Sequence, residues 1–417
     1  MDKIVIRGGK PLAGAVQVRG AKNAALPLMA AAILGDGPSV LHNVPCLHDV
    51  FSMDKLLSGM GMEIEFTGRA MTLNPATMNT PEAPYELVRK MRASFFVLGP
   101  LLGKFGRARV SLPGGCAIGA RPVDIHLKGL EALGAKITIE EGDVIAEGKL
   151  RGADHTLDFP SVGATENLLM AACVAEGVTR INNAAREPEI EDLARMLSGM
   201  GARISGAGTD LITVVGVDSL GGTEHVVMPD RIEAGTFLAA AVATRGDVTV
   251  QNANAEHLPI FLDKLREAGA TIEVHGTRIR AAASNGLNAV DLTTRPYPGF
   301  ATDLQAQMMA VLTGAKGTSC IKETVFENRF MQASELRRMG AEIDLDGGTA
   351  LVRGVDHLSG APVMASDLRA SAALVIAGLA ASRGETVISR VYHIDRGYER
   401  IEERLSGLGA DIERVRE

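Results

Sequence analysis

LLSGMGMEIEF, residues 56–66, reads as the end of a helix, a glycine stop and the start of a strand. The phrase returns as GLEALGAKITI from Gly129, MLSGMGARISG from Met196, KLREAGATIEV from Lys264, ELRRMGAEIDL from Glu335 and RLSGLGADIER from Arg404. Before the glycine, apolar residues such as Leu193, Met196, Leu197 and Met200 fall at i, i+3, i+4 and i+7, one stripe of an amphipathic helix. The glycine supplies the left-handed backbone that ends a helix, and β-branched residues then open a strand. Gly61, Gly134, Gly201, Gly269, Gly340 and Gly409 are separated by 73, 67, 68, 71 and 69 residues, so one unit is used six times.

A second glycine punctuates each unit after a helix of small apolar residues, as in NLLMAACVAEGVTRI, TFLAAAVATRGDVTV and AALVIAGLAASRGETVI, which predicts helices buried on most sides. At 417 residues the chain exceeds what one core usually supports. Three units per domain, with a split near Pro229, satisfy both observations. Where the N-terminal strand KIVIRG packs does not follow from the repeat.

Composition narrows the function. A hydrophobic share of 46% and a charged share of 22% describe a globular chain, and the net charge of −7 offers no basic surface for a nucleic-acid backbone. With no Trp and four Tyr, binding through polar contacts is favoured over aromatic stacking. Cys46, Cys116, Cys173 and Cys320 are scattered without a CxxC pair, which points to a reducing compartment rather than a disulfide framework. The start MDKIVIRGGK lacks a signal-peptide core, and no apolar run reaches the roughly 20 residues of a spanning helix, so a cytoplasmic location is expected. Phosphate-loop and dinucleotide-binding fingerprints are missing. His42, Cys46, His48 and Asp49 are close in sequence but match no zinc spacing, and no metal is expected.

One unit breaks the pattern. Gly106 to Gly134 takes 28 residues where the other five units take 23 to 25. The surplus lies in SLPGGCAIGARPVDIH, residues 111–126, where glycines and prolines surround Cys116 and Arg121. Long glycine-containing loops on a rigid scaffold tend to carry function, and the Arg121 charge would favour a Cys116 thiolate and attract an anion. Cys46, Cys173 and Cys320 sit in or beside apolar stretches and read as core.

Charged residues recur at one repeat position, just before the first helix of each unit: Lys22 with Asn23, Arg92, Arg231, Asp303, and Asp367 with Arg369. In the third unit the place is taken by the small Ser161, Val162 and Gly163, suited to close approach of a ligand. Helix N-termini favour anions, so these cations suggest a phosphate or carboxylate site. Arg329 in FENRF and Arg396 in DRGYER hold the position corresponding to the Cys116 loop in units five and six.

On GAKNAALPLMAA, MRASFFVLGPLL, SLPGGCAIGARPVDIHL, SVGATENLLMAA, PGFATDLQAQ, TVFENRF, ASDLRAS and YHIDRGYERIE, the whole chain resembles the enolpyruvyl transferases, specifically those that use UDP-N-acetylglucosamine. The resemblance implies an inside-out α/β barrel in two domains, residues 22–229 and residues 1–21 with 230–417, with the active site in the cleft between them. It implies transfer of the enolpyruvyl group of phosphoenolpyruvate to the sugar 3'-hydroxyl, with phosphate released and the product entering peptidoglycan synthesis. Phosphoenolpyruvate is a co-substrate, and no cofactor is implied. Carried over by position, Lys22 and Asn23 contact phosphoenolpyruvate, Arg121 and Arg396 lie near its phosphate, Arg329 and Arg369 complete the anion site, and Arg92 and Arg231 help hold the ligands. Arg121, Pro122, Val123, Asp124, Ile125, Ser161, Val162, Gly163, Asp303 and Val325 line the UDP-sugar site. The family assigns Cys116 the role of proton donor, with a thiol that can add to C2 as a phospholactoyl adduct and react with the epoxide fosfomycin. Asp303 is the expected acceptor of the sugar hydroxyl proton, with Asp367 in support. Where relatives often have a Lys before the SVGAT turn, this chain has Phe159 and Pro160, which puts one nucleotide contact in doubt. Two other readings stay open at this point: a shikimate-3-phosphate enolpyruvyl transferase, against which the long Cys116 loop argues, and a non-enzymatic clamp-like ring, which lacks the basic inner surface that DNA requires.

Overall fold

The computed structural model describes residues 2–88, 91–112, 123–284 and 286–416. All six glycines of the recurring phrase are left-handed, with φ between 92° and 110°. At each, the amide two residues beyond the helical end reaches back five residues: Met62 to Leu57, Ala135 to Leu130, Ala202 to Leu197, Ala270 to Leu265, Ala341 to Leu336 and Ala410 to Leu405, at 2.9–3.1 Å. The glycine amide itself donates three residues back, as from Gly61 to Ser58 at 3.0 Å. These two bonds are the Schellman closure, which satisfies carbonyls that a helix end would otherwise leave bare.

After five of the six caps comes a hairpin, after the sixth a single strand, and six four-stranded sheets of one pattern result among the described residues. In the sheet holding Ser39–His42, that strand pairs in parallel with Glu224–Val226 on one side and antiparallel with Ala70–Asn74 on the other, and Glu63–Thr67 closes the far edge. The strands alternate in burial: Val178–Asn182 has Thr179 and Ile181 buried while Val178 and Arg180 are exposed. One face of each sheet therefore meets water and the other meets helices.

Those helices are the small-residue ones. Val162–Ala172 buries every residue from Ala164 to Ala172, and Arg231–Ala243 buries every residue from Arg231 to Val242. Helices inside and sheets outside are the inverse of the usual barrel. Small side chains permit the approach: a Cβ on Gly99 would sit 2.4 Å from the Asn167 carbonyl oxygen, and the Asn167 side chain stitches the contact by accepting from Gly99 N at 2.8 Å and donating to Phe95 O at 3.1 Å.

The chain divides into two compact units. One contains the described chain up to Arg19 and from Pro229 onward; the other contains the described chain between Gly20 and Met228. Each has its own apolar core. The N-terminal strand Lys3–Arg7 lies in the first of these units, between Thr386–Ser389 and Asp411–Val415, antiparallel to both.

Of the cysteines expected in the core, only Cys173 is fully buried, and burial pushes its thiol up to about 12. Cys46 and Cys320 are half-buried, a correction to the sequence reading. Cys320 takes an outward position in the alternation of Thr318–Lys322, and Cys46 sits in the turn before a helix with its Sγ 3.9 Å from Gly68 O.

Candidate active site

The anchored charges of the Gly20–Met228 unit cluster at helix starts. Lys22 is the first residue of the helix Lys22–Ala31, followed by Asn23, and its Nζ lies 3.2 Å from Asp49 Oδ2 in the first turn of His48–Gly59. Both side chains are largely buried, 13% and 5% exposed, so this pair is screened far less than a surface bridge. The neighbours considered for a metal go elsewhere: His42 Nε2 meets Glu224 Oε1 at 2.6 Å. No group of metal-ligating side chains occurs among the described residues.

Arg92 opens the short 3₁₀ segment Arg92–Val97, and Ser161 caps Val162–Ala172, its Oγ accepting from Ala164 N at 3.3 Å. Gly163 packs against protein side chains, since a Cβ there would lie 3.1 Å from His126 Cε1 and 3.2 Å from Phe96 Cε1. The glycine thus lets Asp124–Ala132, which begins with Asp124 and Ile125 just after Val123, lie against the Ser161 turn. His126 is fixed there, with Asn167 Nδ2 donating to its Nδ1 at 3.0 Å. Burial, aided by the Arg92 charge, pushes its pKa down to about 3, so the ring is neutral and Nε2 carries the proton. Cys116, Arg121 and Pro122 lie outside the described residues.

In the other unit the structure brings three predicted residues into contact. Asp303 lies in the turn Thr302–Leu304 that leads into Gln305–Leu312, Arg329 precedes Gln332–Arg338, and Arg369 is in the first turn of Leu368–Ala380. Asp303 Oδ1 accepts from Arg329 Nη2 at 2.6 Å, and Oδ2 accepts from Arg369 Nη2 at 2.8 Å and Nε at 3.2 Å. Burial alone would push this carboxyl up; the charges and hydrogen bonds of Arg369 and Arg329 outweigh it and hold Asp303 well below the usual carboxylate range. Two guanidiniums thus close on one carboxylate. Among the described residues, Arg329 Nε is buried with no partner, a donor with unused capacity.

Arg369 is backed by Tyr398, whose hydroxyl accepts from its Nη1 at 3.3 Å and meets Thr236 Oγ1 at 2.8 Å. Asp367 caps the Arg369 helix, its Oδ1 accepting from Arg369 N and Ala370 N at 2.8 and 3.1 Å. Arg231, 9% exposed, opens its own helix behind Asp230 and lies 5.9 Å from the Tyr297 ring centre. Arg396 ends the 3₁₀ segment Val391–Arg396, next to Asp395, which Arg414 clamps with bonds of 2.6 and 3.0 Å. Val325 stands two residues after Glu323, which accepts its amide at 2.8 Å.

Sequence reasoning passed over Glu323, Thr302, His126 and Tyr398. All four stand inside or beside quoted motifs, but nothing in a one-dimensional pattern separates a buried hub from a surface polar residue.

The sequence matches the family of EPSP synthase (3-phosphoshikimate 1-carboxyvinyltransferase) over residues 6–405, and the chain belongs to this family of enolpyruvyl transferases. Among its relatives, the UDP-N-acetylglucosamine 1-carboxyvinyltransferase of Granulibacter bethesdensis is 56% identical over 420 residues, covering 100% of both chains. The enzyme of that name from Myxococcus xanthus is 56% identical over 418 residues, covering 99% of both. Of solved structures, the enolpyruvyl transferase NikO from Streptomyces tendae superposes with a TM-score of 0.89 at 25% identity over 99% of each chain. The EPSP synthase of Acinetobacter baumannii, at 19% identity and a TM-score of 0.75 over the full length of both, shares the fold.

Proposed function

We propose that this chain transfers the enolpyruvyl group of phosphoenolpyruvate to the 3'-hydroxyl of UDP-N-acetylglucosamine and releases phosphate, the first committed step toward peptidoglycan precursors. The observation that carries this reading is end-to-end identity of 56% with relatives named for that reaction. The same observation weighs against shikimate 3-phosphate as acceptor and against a ring protein without chemistry.

The residues suit the steps. Protonation of C3 of phosphoenolpyruvate leaves oxocarbenium character at C2, the sugar oxygen adds there, and the tetrahedral adduct expels phosphate as C3 returns its proton. Cys116 donates the first proton and can add covalently to C2. Lys22, Arg121, Arg329, Arg369 and Arg396 hold the phosphate and carboxylate charges, with Asn23, Arg92 and Arg231 in support. Val123, Asp124, Ile125, the Ser161 turn and Val325 hold the UDP-sugar. Asp303 takes the hydroxyl proton, with Asp367 as a supporting acid or base. Clamped by two guanidiniums, Asp303 is a weak base; a substrate anion that draws their charge raises its proton affinity. No resident cofactor or metal is invoked, and the site of action is the cytoplasm. No helix among the described residues is long and apolar enough to cross a membrane.

The test is phosphate release from phosphoenolpyruvate with and without UDP-N-acetylglucosamine, in wild type and Cys116→Ala. Release that requires the UDP-sugar and collapses in the variant supports the reading; release with shikimate 3-phosphate instead, or none, overturns it.

A further inference from the structure

Glu323 is 6% exposed and accepts hydrogen bonds from three separate segments. Its Oε1 takes the Thr294 hydroxyl at 2.8 Å and the amides of Val325 and Phe326 at 2.8 and 3.1 Å; its Oε2 takes the Thr302 hydroxyl at 2.8 Å. A buried carboxylate with this many donors is a strong organiser, because each bond is charge-assisted and none competes with bulk water.

What it organises is Arg329. The Thr302 hydroxyl spends its only proton on Glu323, so toward Arg329 it can act only as an acceptor, and Arg329 Nη1 donates to it at 3.0 Å. On another side, the Phe326 ring centre lies 5.2 Å from the Arg329 guanidinium carbon, and Glu323 holds the Phe326 amide. Thus two neighbours that fix the guanidinium, the Thr302 oxygen and the Phe326 ring, are themselves set by one carboxylate. Thr302 also precedes Asp303, the third partner of Arg329.

We infer that Glu323 is a positioning residue for the anion site. It does not meet substrate; it orients the Thr302 hydroxyl and the 325–326 turn so that Arg329 keeps its Nε donor available while Nη1 and Nη2 are tied to protein. This inference rests on the proposed role of Arg329 in binding substrate anion.

Glu323→Gln keeps shape and one acceptor oxygen but removes the charge. With the amide nitrogen toward Thr302, the hydroxyl must accept there, and its proton is turned loose against Arg329. Expected is a rise in KM for phosphoenolpyruvate of about tenfold with kcat changed much less, the signature of lost binding. Thr302→Val should reproduce the rise, Thr302→Ser should stay near wild type, and the double variant Glu323→Gln/Thr302→Val should be no worse than the poorer single, because both break one chain of contacts. Calorimetric titration with inorganic phosphate should show the same loss of affinity in Glu323→Gln, an arm that needs no turnover. Wild-type phosphate affinity and KM in Glu323→Gln, with only the melting temperature lowered, would overturn the inference, as would additive effects in the double variant. A wild-type enzyme that binds phosphate but shows no release dependent on the UDP-sugar would sink the proposed function and leave the titration to decide the role of Glu323.

Discussion

Replacing Arg369 by Met removes a guanidinium that contacts Asp303 Oδ2 through two nitrogens and keeps Arg329 on Oδ1 at 2.6 Å. Arg369 is 4% exposed, so Met fills much of the volume while the charge is lost from beside a half-buried carboxylate. Breaking a buried ion pair on one side costs about 3–5 kcal/mol. For a unit of roughly 200 residues each kcal/mol moves the melting temperature by about 2–4 °C, so a fall of about 6–20 °C is expected in a thermal scan. The sign of the pH effect follows from the depressed Asp303 pKa: the stability it confers is present above the ordinary carboxylate range and is lost as pH falls through the folded value. In Arg369→Met the folded value rises toward the unfolded one, so Asp303 should contribute a smaller loss of stability on acidification than in wild type, and Asp303→Asn added to Arg369→Met should recover part of the loss. A melting temperature unchanged in Arg369→Met, or a double variant less stable than either single one, would refute the electrostatic account of this cluster.

Two further outcomes test the fold. At Gly409 an added Cβ meets nothing within 4 Å, so Gly409→Ala should cost only the left-handed backbone penalty of about 1–2 kcal/mol, whereas Gly61→Ala also brings a Cβ to 2.9 Å from Thr77 O and should cost more in urea titrations; equal costs would deny the packing difference. His126, with its pKa down at about 3, binds its proton more readily when unfolded, so its contribution makes stability fall as pH drops from about 6.5 toward 3, by about 2 kcal/mol already at pH 5. His126→Gln should flatten that part of the stability curve measured by denaturant at each pH, and an unaltered curve would count against a buried neutral ring.

How much of this was legible in sequence depends on whether the signal was local. The cap glycines were, because a left-handed helix end excludes side chains one position at a time and the spacing to the next strand is short. The helix-start charges were too: Lys22, Arg231 and Asp367 stand at the ends of helices that their own neighbours define. The Asp303 clamp was not, since Arg329 and Arg369 come 26 and 66 residues later and only the fold brings them together. Gly163 was read as room for a ligand; the structure gives it a packing duty against His126 and Phe96, which no reading of SVGAT alone could supply. Cys46 and Cys320 were placed in the core from apolar neighbours, and the alternation of a strand with one wet face put Cys320 outward.

The sheet pairings explain why the N-terminal strands belong where they do. In each of the other five sheets the antiparallel middle strand and the far edge are consecutive, as Glu63–Thr67 and Ala70–Asn74 are. In the sixth, the far edge is the last strand, Asp411–Val415, and the middle position is filled by the first, Lys3–Arg7. The next strand, Ala13–Gln17, then supplies the parallel edge beside Asp247–Gln251, the place that Glu82–Ala83 takes beside Arg107–Ser111 in the other unit. Residues 3–17 therefore supply the partner of Asp411–Val415 and the parallel edge beside Asp247–Gln251. A repeat whose sheets borrow an edge from the neighbouring repeat must close on itself or leave an open edge, and an open edge invites pairing with another chain. In this sheet Lys3 stands opposite Val415. The same pairing carries Arg414 to Asp395, beside Arg396, so closure of the fold and placement of a proposed phosphate-binding residue depend on the same strand.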